Sequence, residues 1–138
     1  MKRLLLILCL ALPLPLIADI AIIVNAGNPV KSMSAEEVTA LYLARNRTFP
    51  SGEYALVLDH PRDSQLRKHF FKAVAGMGIG QVNTYWSRLM FSGQEIPPQP
   101  LPSEQAVIDI VRRNPGAIGY VGFVPKDAGV KTVLHIKD

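Results

Sequence analysis

Pro61-Arg62-Asp63-Ser64 is the stretch of this 138-residue sequence whose residue types are best suited to hold a charged ligand. It follows an apolar run from Tyr54 to Leu58 and precedes a segment in which Leu66, Phe70 and Val74 recur at intervals of four, so it should join a strand end to a helix start. At such a junction free backbone N–H groups and the helix dipole favour an anion. Arg62 adds a planar, permanently charged fork suited to oxyanions, and Ser64 adds a hydroxyl donor. The competing reading is structural: Asp63 or Ser64 caps the helix and Arg62 pairs in solvent.

Other constellations carry less chemistry. His60, His69 and His135 show no HExxH or similar ligand spacing, and the one cysteine is Cys9, so a zinc site is not expected. No Gly-x-Ser-x-Gly elbow is present, and Asp59-His60 are neighbours that diverge at a strand end, so a hydrolase is not expected. Gly76-Met77-Gly78-Ile79-Gly80 follows a helical pattern instead of a strand, which makes it a linker between helices and not a dinucleotide loop. Tyr85, Trp86 and Phe91 suggest a stacking platform, but their helical stripe with Leu89 reads as core. No enzyme activity, cofactor or metal is predicted.

Composition sets the remaining bounds. Lys2 and Arg3 precede an apolar run from Leu4 to Leu12, and Pro13, Pro15 and Asp19 break its continuation. Residues 1–18 therefore read as a cleavable signal peptide, too short and too broken for a membrane span, with an uncleaved anchor as the alternative. Its removal lowers the formal charge from +4 to +2 and takes away Cys9. The remaining 19–138 is one domain without disulfides, exported to the periplasm, and with no basic stripe to support nucleic-acid binding.

Within that domain, Ile20 to Val24 is a continuous β-branched run, the mark of a central strand buried on both faces. Ser34 and Glu37 form a capping box before a helix ending near Ala44. A strand comes next over Tyr54–Leu58, then the helix begun at Asp63 or Ser64, and a third helix from Gln81 with Val82, Tyr85, Trp86, Leu89 and Met90 on one stripe. Gln94 to Pro102, rich in proline, reads as an extended crossover. Ser103 opens a fourth helix with Val107, Ile110 and Val111 inward, and Asn114-Pro115-Gly116 ends it, the asparagine as a left-handed cap. Ala117–Val121 and an edge strand over Lys131–Ile136 complete a three-layer α/β domain. Ligands of such sheets lie beyond the strands' carboxyl ends, which directs attention to the loops 25–34 and 59–64.

Several segments together resemble the PBP-like domain of phosphate-binding proteins that serve ABC importers. They are Ile22-Ile23-Val24-Asn25 through Asn28-Pro29-Val30, the capped helix ending Leu41-Tyr42-Leu43, Phe49-Pro50-Ser51-Gly52, Arg62-Asp63-Ser64, Tyr85-Trp86, Phe91-Ser92-Gly93 and Pro115-Gly116-Ala117-Ile118-Gly119-Tyr120-Val121. The resemblance implies a type II periplasmic-binding-protein-like single lobe, with a mixed, mostly parallel sheet flanked by helices. It implies phosphate or a related oxyanion as ligand, in transport or nutrient sensing. Arg62, Asp63 and Ser64 match that family's anion cluster, and Asn25 and Asn28 match its hinge-side segment as secondary candidates. Gln65-Leu66 stands where the family has Gly-Thr, and the chain has the length of one lobe. A lone lobe binds its anion in the open, pairs with a second copy of itself, or contacts an ABC transporter membrane component or another envelope protein. The rival reading is an envelope interaction module with a degenerate, non-binding site.

Overall fold

The computed structural model describes residues 19–137; the signal-peptide reading of residues 1–18 lies outside them. The chain runs β1 (Ile20–Asn25), α1 (Ala35–Tyr42), β2 (Leu56–Asp59), α2 (Gln65–Phe70), α3 (Ile79–Phe91), β3 (Gln99–Pro100), α4 (Glu104–Arg113), β4 (Ala117–Val121) and β5 (Val130–Ile136). A π-helical turn, Phe71–Ala75, extends α2 until Gly76, at φ 67°, takes the left-handed conformation that ends it.

The five strands form one mixed sheet in the order β3-β2-β4-β1-β5. β2 pairs parallel with both β3 and β4, whereas β1 is antiparallel to both β4 and β5, so four strands point one way and β1 alone is reversed. The continuous apolar run of β1 is explained by cover on both sides. Ile20, Ile22 and Val24 pack under α1, α2 and α3, while Ala21 and Ile23 pack with Val107, Ile108 and Val111 of α4. The α4 layer approaches closely at Gly119, where an added Cβ would lie 2.4 Å from Val107 Cγ1.

The helix caps depend on single side chains. Ser34 and Glu37 make the reciprocal capping box of α1, and Ser103 Oγ accepts from Ala106 N at the start of α4. At α2 the cap is Ser64, whose Oγ accepts from Arg67 N, and not Asp63.

Four expectations need correction. Tyr54 lies outside β2, in an isolated antiparallel bridge with Thr48. The proline-rich crossover contributes β3 at the sheet edge, where a proline's missing N–H costs no ladder bond. Ile108 takes the buried place in α4 and Ile110 faces outward. Asn114 is extended (φ −125°), and its side chain accepts from Gly116 N in place of a left-handed cap.

Candidate functional site

β2 delivers Asp59 and His60 to the carboxyl end of the sheet, and α2 starts five residues later, so its first turn faces them. Asp59 is the centre of a buried network. Its Oδ1 accepts from the Tyr120 hydroxyl and from His60 N at 2.8 Å, and its Oδ2 accepts from Arg67 Nε at 3.1 Å. Arg67 is 7% exposed and Asp59 5%, so each charge depends on the other. The Arg67 guanidinium also lies over the Phe71 ring and donates through Nη1 to Asn83 Oδ1 at 3.0 Å. Phe70 stacks on Tyr120 with 3.8 Å between ring centres, and Tyr42 packs edge-on against both. Burial, and then the Asp59 charge, raise the Tyr120 and Tyr42 hydroxyls well above the usual tyrosine range, so both stay protonated donors.

Two buried groups in this network keep an open valence. Arg67 uses Nε and Nη1, and Nη2 has no protein partner among the described residues. His60, 4% exposed, has Nε2 2.7 Å from the Tyr120 carbonyl; a carbonyl only accepts, so Nε2 carries a proton, and Nδ1 has no protein partner among the described residues. No side-chain nitrogen or oxygen is both fully buried and unpartnered among the described residues, so both atoms reach solvent. Asp59, His60 and Arg67 line the same cleft, of about 180 Å³, and Arg62, Asn83 and Ser87 line it with them. Asn83 turns its Oδ1 to Arg67, which leaves Nδ2 to donate elsewhere.

The sequence-derived candidates separate in space. Arg62 lines the cleft with an exposed side chain. Asp63 is exposed outside it, and Ser64 serves as the cap of α2, beside the first-turn N–H groups of Gln65 and Leu66 that have no intrahelical acceptor. Asn25 and Asn28 are not brought to this cluster. Because β1 is reversed, its carboxyl end lies at the opposite end of the sheet from that of β2, so the loops 25–34 and 59–64 do not converge. There Asn25 donates to the carbonyls of Val111 and Arg112, and Asn28 donates to Pro115 O and accepts from Val30 N at 2.9 Å.

Arg67 and His60 were the residues that sequence reasoning passed over as ligand groups. For Arg67 a signal existed: it is in helical phase with Phe71 and Val74, both buried, so its charge had to find a buried partner.

No family model matches the chain, and no curated protein matches it. Solved structures do. An ABC-type phosphate transport receptor from Vibrio cholerae superposes with a TM-score of 0.64 at 18% identity, over 84% of this chain and 46% of that one. A Clostridium perfringens protein, assigned as a phosphate ABC transporter substrate-binding protein and crystallised with bound phosphate, superposes with a TM-score of 0.66 at 21% identity, over 84% and 45%. A Planctomyces limnophilus protein with a suggested phosphate-binding role gives 0.57 at 13%, over 84% and 41%. The described domain thus has the fold of periplasmic-binding-protein-like structures, and the chain spans under half the length of each of these three.

Proposed function

We propose that this chain is an exported, periplasmic solute-binding-type domain, its leader 1–18 removed, that holds phosphate or a related oxyanion in the cleft at the carboxyl ends of β2 and β3. It acts in transport or nutrient sensing and not as an enzyme. The observation that carries this reading is the pair of guanidinium groups in one cleft: Arg67 is fixed by Asp59 with Nη2 outward, and Arg62 lies free to swing onto the same ligand. The first turn of α2 and the Asn83 amide add neutral donors beside them. Asp63 and Ser64 frame the helix start, and the Ser64 hydroxyl keeps its proton to donate while its oxygen caps. The fold shared with phosphate receptors is consistent with this role.

Calorimetric titration of the purified protein with phosphate should show saturable binding that Arg62→Ala removes. No heat from any oxyanion, in protein with a cooperative melting transition, would overturn the reading.

A specific feature favours the second reading, an envelope interaction module. Phe91 and Ile96 are 96% and 88% exposed, and Met90, Tyr54 and Leu56 add apolar surface. Under that reading a defined envelope protein, an importer membrane component among the candidates, copurifies with wild type and is lost with Phe91→Ser. A second copy of the chain is the other candidate, and light scattering shows whether the protein is a dimer.

A further inference from the structure

The cleft at Arg62 is lined by polar and apolar residues together. Arg62, Arg67 Nη2 and Asn83 Nδ2 supply donors, and His60 Nδ1 is a further polar atom without a protein partner among the described residues. Asp59 also lines it, but its oxygens already accept from Tyr120, His60 N and Arg67, so its charge is neutralised within the wall. The rest of the lining is Trp86, Met90, Pro97, Pro98 and Pro100, with Ser87, whose hydroxyl donates to Asn83 O. A bare oxyanion carries acceptors all round, and oxygens turned toward the apolar residues find no protein donor there. The volume of about 180 Å³ equals about six water molecules at about 30 Å³ each, more than one tetrahedral oxyanion fills. Consecutive prolines hold their wall with little conformational freedom, so it presents a prepared apolar surface.

We infer that the cleft takes an organic anion, an anionic head on a flat or branched apolar stem, in preference to a bare inorganic oxyanion. The head lies on Arg62 and Arg67, and the stem lies between Trp86, Met90 and the prolines. The inference rests on the anion reading proposed above and narrows its ligand class.

Trp86 is the single tryptophan and lines the cleft, so its fluorescence reports occupancy. The protein is titrated with phenyl phosphate, inorganic phosphate and phenol, with calorimetry alongside. Phenyl phosphate is expected to bind about tenfold more tightly than inorganic phosphate, because the ring removes apolar surface from water. Arg62→Ala should abolish binding of both anions, and Met90→Ala, at a half-exposed position, should narrow their ratio about threefold. If inorganic phosphate binds as tightly as phenyl phosphate, the inference fails and the anion reading stands. If phenol matches phenyl phosphate, the head plays no part and the inference fails. If no anion gives fluorescence change or heat, both fail together.

Discussion

At the end of the sheet where β1 finishes, Asn25 and Asn28 spend their amides on backbone: on Val111 and Arg112 at the end of α4, on Pro115, and on the Val30 N–H. At the other end, where β2 and β4 finish, Asp59, His60, Arg67 and Tyr120 also satisfy one another, yet Arg67 and His60 each leave one atom toward a cleft. The two ends show how similar polar composition divides between structure and binding. A side chain whose whole hydrogen-bonding capacity closes a turn stabilises that turn, whereas one pinned by part of its capacity becomes a fixed donor or acceptor for something else.

The largest expected effect comes from the buried pair. Arg67→Ala leaves the Asp59 carboxylate buried without its countercharge and should cost about 3–5 kcal/mol, read by urea unfolding. A loss below about 1 kcal/mol would show that Arg67 is not an anchored group, since only exposed pairs are worth so little. Asn28→Ala removes the acceptor of the buried Val30 N–H and should cost about 1–3 kcal/mol while phosphate affinity stays at the wild-type level. Weakened binding in that variant would break the division between the two ends.

The third prediction concerns alkaline pH. Tyr42 and Tyr120 have folded-state pKa values raised above the unfolded value of about 10, so their contribution is complete below about pH 10 and is lost as pH rises beyond it. Each contributes a slope of about 1.4 kcal/mol per pH unit there. Tyr120→Phe should make thermal stability less steep above pH 10, and an unchanged slope would place the titration elsewhere. Smallest in stability is Arg62→Ala, with its exposed side chain, expected within about 0.5 kcal/mol of wild type although anion binding is lost.

Much of the architecture was legible in local pattern. The unbroken β-branched run marked β1 as central, Ser34, the pair Asp63-Ser64 and Ser103 marked helix starts, and Gly76 marked a stop. Strand direction was not legible. β1 pairs with β4 and β5 across nearly the whole chain, and nothing in Ile20–Asn25 records that it runs against them. That one reversal is why Asn25 and Asn28 lie far from Arg62. Met90, on the apolar stripe of α3, is half exposed because its neighbours at that height are the prolines of the cleft wall and not the core. Of the candidate site, Arg62 was readable from its type and place after a strand. His60 was not, because its value depends on Tyr120, sixty residues away, taking up Nε2.

The most direct test of this division is amide chemical-shift mapping of the ¹⁵N-labelled protein during a phosphate titration. Saturable shifts are expected at Arg62 to Leu66 and at Asn83, with Asn25 to Val30 unmoved. Shifts centred on Asn25 to Val30, with Arg62 to Leu66 silent, would place the anion at the wrong end of the sheet and contradict the assignment.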